Sequence, residues 1–408
     1  MANVNGNSAA GPLSGVRVID FTWAWAGPHG VQLLAMLGAE VIKIESMTRL
    51  DHSRVRSLMG GASKSGPDGA SIFGELNAGK LSIRLDLRKE KAQDIVRRLA
   101  GVSDIAVQNM RPGALDRLGL GYESLRNVNP RIIMLSSSTV GDTGPERTYA
   151  GYAPIFAALS GIADITGHPD GGPIPLSGAV DLRVGTAVAF AALVALRHRN
   201  RSGEGQNIDL SSTELMSSLM GEAFLGYEMT GRSPQRMGNR DDLMAPNGCY
   251  PCAGENQWVS IAVGSEEEWN ALRAAIGEPE LDAPALMDPE VRWQQQDRID
   301  SLIESWTRER SVRSVTEQLQ GVGVAATPLL RSSDVFKDLH VQERGVMQSV
   351  DHPVLGRRQV VGPPWKMEGA ALRSRAPLIG EHAQYVLGEL LGLGSDEIEA
   401  LEKDGVLN

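Results

Sequence analysis

The sequence predicts an α/β fold, a Rossmann-like, doubly wound large domain accompanied by a smaller α+β domain. Three observations predict it. Short apolar, strand-like runs alternate with helix-period segments through the N-terminal part of the chain. The character changes near Gly231, where the polar, mixed-charge stretch 232–242 reads as a linker. Gly/Pro-rich sequence then returns at Val360-Val-Gly-Pro-Pro-Trp365, ahead of an acidic helical tail. The 408 residues hold more than one core, because single domains usually run to about 100–200 residues. We place the large domain over 1–230, the small domain over 235–330, and a C-terminal segment over 340–408.

In chain order, Val16-Arg-Val-Ile-Asp-Phe reads as a buried strand, followed by the turn Ala26-Gly-Pro-His-Gly30. An apolar-periodic helix covers 31–37, Gly38-Ala-Glu breaks it, and Val41-Ile-Lys-Ile-Glu45 is a second strand. That is a βαβ unit, which belongs in a parallel sheet with a right-handed crossover. The pattern recurs with a strand at 81–85, a helix over 89–99, and strands at 104–108 and 132–137. A small-residue, apolar helix over 184–197 follows, and Ile208-Asp-Leu-Ser leads into a Met-rich helical stretch over 215–220. The middle region carries a strand at 258–263 and helices at 266–276, 297–306 and 312–319.

Composition is ordinary for a globular protein, at 42% hydrophobic and 22% charged, which excludes a disordered or fibrous chain. The net charge of −10 argues against nucleic acid as the main partner, since phosphate backbones need clustered Lys and Arg. The charge is uneven. Residues 80–100 carry seven basic and three acidic groups, a net of +4, whereas 378–408 carry a net of −6. The basic stretch suits an anionic small molecule or a solvated helix face. No uninterrupted apolar run reaches the ~18 residues of a membrane span, and the opening Met1-Ala-Asn-Val-Asn-Gly lacks the pattern of a secretory leader. With Cys249 and Cys252 as the only cysteines, the expected setting is cytoplasmic, without a membrane.

Several catalytic signatures are absent, including the phosphate-binding Gly-x-x-x-x-Gly-Lys loop, His-Glu-x-x-His and Gly-x-Ser-x-Gly. Gly321-Val-Gly-Val-Ala-Ala imitates a dinucleotide fingerprint but follows a helix instead of a strand. Cys249-Tyr-Pro-Cys252 has no second pair to complete a zinc site, so no metal is expected. His29 is a candidate base or a structural histidine. Asp181 stands in Pro175-Leu-Ser-Gly-Ala-Val-Asp181-Leu-Arg-Val-Gly185, between a small-residue turn and an apolar helix. It suits a helix N-cap and equally a carboxylate nucleophile that small neighbours leave accessible.

Taken together, a set of short motifs resembles the family III CoA-transferases. They are Pro12-Leu-Ser-Gly-Val-Arg-Val-Ile-Asp-Phe, Leu37-Gly-Ala-Glu-Val-Ile-Lys-Ile-Glu45, Asn77-Ala-Gly-Lys80-Leu-Ser-Ile-Arg-Leu-Asp-Leu, Asn109-Met-Arg-Pro-Gly113, Arg201-Ser-Gly-Glu-Gly-Gln and Leu378-Ile-Gly-Glu-His. The resemblance implies an interlocked-ring dimer whose large domain is built from both chain ends, so that 340–408 returns to it. It implies Asp181 as nucleophile in a ping-pong reaction. Asp181 attacks the donor acyl-CoA to give a mixed anhydride, and the thiolate returns to form an aspartyl-CoA thioester. The acceptor carboxylate then leaves carrying CoA. The coenzyme A thioester is a substrate, and no resident cofactor is implied. Lys43, Arg54, Lys80, Arg84 and Arg111 are the implied phosphate-binding cations.

Two departures bear on substrate. A racemase branch of the fold carries a His just after the Gly corresponding to Gly151, where this chain has Tyr152. Some members carry a Gln where this chain has Trp25. Trp25, Tyr152 and Phe156 therefore suggest an apolar or aromatic acyl group over formate or oxalate. The stretch Met244-Ala-Pro-Asn-Gly-Cys-Tyr-Pro-Cys252 is similar to the succinyl-CoA:benzylsuccinate branch, which points to (R)-benzylsuccinate as acceptor. The expected partners are these substrates and either a second copy or a related subunit.

Overall fold

The computed structural model describes residues 10–56, 65–174 and 176–408. The N-terminal opening read for a leader and Pro175 of the turn before Asp181 lie outside them. The chain divides into two compact units. The first joins Met1–Ala163, Pro175–Leu225 and His340–Asn408, and the second joins Asp164–Ile174 to Gly226–Leu339. The short excursion over 164–174 was invisible in the sequence, where it sat inside the large domain.

The first unit is built on six parallel strands: β1 (Arg17–Asp20), β2 (Glu40–Glu45), β3 (Leu81–Arg84), β4 (Ile105–Gln108), β5 (Ile133–Ser138) and β6 (Asn207–Ser211). Their order is β3-β2-β1-β4-β5-β6, so the winding reverses between β1 and β4. In such sheets the crevice for ligands opens at the carboxyl ends of the strands flanking that reversal. Strand β6 was not anticipated. It is an edge strand that alternates exposed and half-buried positions before the buried Ser211, so it lacks the continuous apolar run that marks the inner strands.

Three helices explain how the crevice is framed: α1 (Ala26–Met36), α2 (Glu90–Gly101) and α3 (Gly178–Ser202). On α2, Ala92, Ile95, Val96, Leu99 and Ala100 repeat at three- and four-residue intervals and bury one face. That side of the sheet also receives Val386, Leu387, Leu401 and Val406 from the end of the chain. Helices α1 and α3 cover the other side with Val31, Leu34, Val188, Ala192 and Ala195. They touch backbone to backbone. A methyl group on Gly30 would lie 2.5 Å from Gly185 O, and one on Gly185 would lie 2.6 Å from Ala26 O. Only glycine permits that approach.

Helix α3 starts six residues earlier than the sequence suggested, because its first turn, Gly178-Ala-Val-Asp, resembles a small-residue loop. By length and hydropathy it is the one helix among the described residues long and apolar enough to cross a membrane. Here its buried stripe packs on the sheet and on α1. The second unit has an antiparallel sheet of β7 (Asn247–Pro251), β8 (Trp258–Ala262) and β9 (Ala325–Pro328). Helices Glu266–Ile276, Gln296–Arg308 and Val312–Gly321 bury Trp269, Leu272, Ile299, Ile303, Val315 and Leu319 with Val259 and Ile261 of β8.

Candidate active site

Asp181 lies four residues before Gly185, so both share one face of α3, and the glycine contact holds that face against the start of α1. Ser177 occupies the N-cap position, and Asp181 sits in the first turn. Its carboxylate makes no ion pair among the described residues, and burial raises its pKa from 3.8 to about 6. The capping alternative is therefore set aside.

The facing wall is the β1–α1 loop. Asn109, just past β4, accepts from the Trp23 N–H at 2.9 Å and donates to the Trp23 carbonyl at 2.8 Å. Asp51 accepts from the Ala24 N–H at 2.9 Å. Lys43 donates to the Thr22 carbonyl and lies 3.2 Å from Asp51. Held at these points, Ala24 adopts a left-handed φ of 68°, a conformation costing an L-residue on the order of 1–2 kcal/mol. The loop projects Trp23 and Trp25 into the crevice.

Three cavities meet here. The largest, about 590 Å³, is lined by Trp23, Trp25, Arg49, His52, Arg111, Arg117, Thr139, Tyr152, Phe156 and Asp181, among others. Among the described residues of that lining Asp181 is the only carboxylate, against three guanidinium groups. A second chamber, about 400 Å³, shares Ala24, Trp25, His52, Tyr152 and Asp181 with the first. A slot of about 250 Å³ shares Trp23, Arg49 and Met110 with the largest cavity, and Phe21, Leu85, Leu87 and Leu118 give it apolar walls beside Arg88. Asp181 thus stands where a cationic cavity meets a smaller chamber.

The structure brings Trp25, Tyr152, Phe156 and Arg111 to the cavity of Asp181. It does not bring the other expected cations there. Lys80 is 1% exposed and donates to Asp20 at 2.8 Å, to Asn77 and to the Pro28 carbonyl. Arg54, also 1% exposed, pairs with both carboxylate oxygens of Glu45 and lies 3.4 Å over the Phe73 ring. Lys43 reaches the slot's lining but spends its ammonium on Asp51 and the Thr22 carbonyl. These three are corrected to internal counter-ions that organise the loops, because a buried cation already paired has no free charge for a phosphate. Arg84 lies 3.5 Å from Glu402 and lines none of the three cavities. His29 also lines none of them, and burial, followed by nearby Lys80, lowers its pKa.

The cations that sequence reasoning missed are Arg49 and Arg117, joined beside the slot by Arg88 of the basic stretch 80–100, which is exposed but already donates to both carboxylate oxygens of Asp86 at 2.8 Å. Their signal was positional, since each follows a parallel strand at the carboxyl end of the sheet. Cys249 and Cys252 are free thiols, and burial raises the Cys252 pKa, away from redox reactivity. Among the described residues no cluster of His, Cys, Asp or Glu could hold a metal ion.

A doubly wound fold with an unpaired, desolvated carboxylate beside a guanidinium-lined cavity defines an enzyme for anionic substrates. The profile of CoA-transferase family III matches residues 13–383, and the chain belongs to that family. It is 34% identical to the "Succinyl-CoA--D-citramalate CoA-transferase" of Chloroflexus aurantiacus, over 97% of this chain and 98% of that protein. It is 30% identical to the "Succinyl-CoA--L-malate CoA-transferase beta subunit" of the same organism, over 99% of this chain and all of the relative. Among solved structures, a CAIB/BAIF family protein from Brucella suis superimposes with a TM-score of 0.82 at 31% identity, covering 93% of this chain and 100% of that one.

Proposed function

We propose that this CoA-transferase moves CoA from succinyl-CoA to a carboxylic acid acceptor, with an aromatic acid such as (R)-benzylsuccinate as one candidate, and that Asp181 is its nucleophile. The observation that carries the reading is the unpaired Asp181 carboxylate at the junction of the cationic cavity and the smaller chamber. Relatives named for succinyl-CoA support the donor. Trp25, Tyr152 and Phe156 support an acceptor with apolar or aromatic surface.

An Asp181 oxygen attacks the thioester carbonyl, the C–S bond breaks, and the CoA thiolate departs, leaving a mixed anhydride. The thiolate attacks Cγ of Asp181 and expels the donor acid as its carboxylate. The acceptor carboxylate attacks that same Cγ, releasing thiolate and forming a second anhydride. Attack of thiolate on the acceptor carbonyl then yields the new thioester and restores Asp181. Carboxylate replaces carboxylate throughout, so the exchange needs no ATP. Burial supports the nucleophile by removing water from a group that water would otherwise stabilise. Arg49, Arg111 and Arg117 suit the CoA phosphates, and the slot beside Arg88 has the apolar walls an adenine ring takes. The smaller chamber then receives the acyl group.

We further infer a dimer, either of two copies in the interlocked-ring form or with a related subunit. Helix Gly221–Thr230 buries no residue, and its Phe224, Leu225, Tyr227 and Met229 are all exposed, apolar side chains that a partner would cover. A relative named as a beta subunit supports the heteromeric form. The free thiols support a cytoplasmic location. Incubation with succinyl-CoA and a panel of mono-, di- and aromatic carboxylates, read by mass spectrometry, tests the reading. New acyl-CoA thioesters are expected, those of aromatic dicarboxylates among them, with succinate released. Failure of every acid to acquire CoA would overturn it.

A further inference from the structure

We infer that His52 reads a second carboxylate on the acid being carried, so that the substrates of this site are dicarboxylates. The inference rests on the CoA-transfer reading and deepens it. Five of the described residues line both the cationic cavity and the smaller chamber, and His52 is the only one of these five whose side chain can carry positive charge. Among the described residues that line the chamber, the only guanidinium is that of Arg56 and the only carboxylate is that of Asp181. The chamber's volume of about 400 Å³ far exceeds what a one-carbon acyl group fills, so it leaves room for a distal group that His52 can meet.

His52 is held in place. It opens the helical turn His52–Val55, and Asp51 caps that turn by accepting from the Ser53 N–H at 2.9 Å and the Ser53 hydroxyl at 2.8 Å. The same Asp51 oxygen holds the Ala24 N–H, so one carboxylate ties the histidine to the loop that forms the chamber wall. The imidazole packs against the Trp23 ring, with centroids 4.6 Å apart, and lies 6.3 Å from the Tyr152 ring. Among the described residues neither ring nitrogen makes a hydrogen bond. Lys43, Arg54 and Lys80 spend their charges internally, whereas this ring is fixed and its donors are unspent. A carboxylate is the ligand that such a group takes, and a charge-assisted hydrogen bond of this kind discriminates sharply against a methyl group in its place.

The test compares succinyl-CoA with butyryl-CoA, which differ only in carrying a distal carboxylate or a methyl group. The rate at which each deposits CoA on Asp181 is read by peptide mass for the wild type, His52→Phe and His52→Gln. The wild type is expected to favour succinyl-CoA. In His52→Phe, which keeps the aromatic packing, the succinyl-to-butyryl rate ratio should fall about 10- to 100-fold. His52→Gln, which keeps an N–H donor, should recover part of it. A wild type indifferent to the distal carboxylate, or a His52→Phe variant slowed equally with both thioesters, would overturn the assignment while leaving CoA transfer intact. Absence of any adduct from either thioester would overturn the transfer reading and this inference with it.

Discussion

Replacing Asp181 by Asn removes the proposed nucleophile and should at the same time stabilise the fold. Burial raises the pKa of Asp181 from 3.8 to about 6. For an acid this sign is the reverse of the salt-bridged case. The folded state favours the protonated form, so ionising the group costs stability. The cost is absent below the unfolded pKa near 4, grows as pH rises towards 6, and is constant above. A rise from 3.8 to about 6 corresponds to ~3 kcal/mol, at about 1.4 kcal/mol per pKa unit. The side chain still meets solvent in the cavities, and an acidic group in the first turn of α3 gains a few tenths of a kcal/mol from the helix dipole. We therefore expect Asp181→Asn to gain ~1–2 kcal/mol in urea denaturation at pH 7.5 and nothing at pH 4. Transfer should fall by on the order of a million-fold, as when a nucleophilic side chain is removed from a hydrolase, with CoA thioester binding retained. In the wild type, kcat/KM should decline as pH drops through about 6, because the proposed nucleophile acts in its ionised form. An Asn variant no more stable at pH 7.5, or one whose gain persists at pH 4, would refute the desolvation argument.

Three further outcomes follow from the geometry. Arg111→Ala or Arg117→Ala should raise KM for the CoA thioester about 10-fold each, an effect that weakens at high salt and is read by steady-state kinetics across ionic strengths. Asp20→Asn should strand the buried Lys80 ammonium and cost about 3–5 kcal/mol in denaturation, whereas Lys80→Met should leave CoA affinity unchanged in the folded fraction; a selective loss of affinity in Lys80→Met would restore Lys80 to phosphate binding. Gly185→Ala should force α1 and α3 apart, because its methyl group would meet the Ala26 carbonyl at 2.6 Å. It should cost about 1–3 kcal/mol and also lower kcat, since Asp181 moves with that helix face.

How much of this was legible in the sequence depended on whether the signal was local. Strands β1, β2 and β4 and helix α2 stood out because buried parallel strands are continuous apolar runs and α2 keeps a helical period. Strand β6 and the hairpin of Met347–His352 with Gly356–Val361 were missed because much of each is exposed and polar. The carboxylate at 181 could be singled out by its small neighbours. Its first-turn position could not, because Gly178-Ala-Val-Asp has the composition of a loop. The basic residues misled for a non-local reason. Lys80 and Asp20 are 60 residues apart, and nothing in either local stretch reveals that they neutralise one another. Arg49 sits in the loop after β2 and His52 opens a single helical turn too short to show a period, and only the fold turns that stretch towards Asp181.

The claim that the travelling group bonds to one side chain is tested most directly by chemical trapping. The protein is incubated with succinyl-CoA, quenched with borohydride or hydroxylamine, digested, and the Asp181 peptide is weighed. Conversion of Asp181 to the alcohol or the hydroxamate, dependent on the thioester, is the predicted result. An unmodified Asp181 peptide in a sample that is turning over would contradict it.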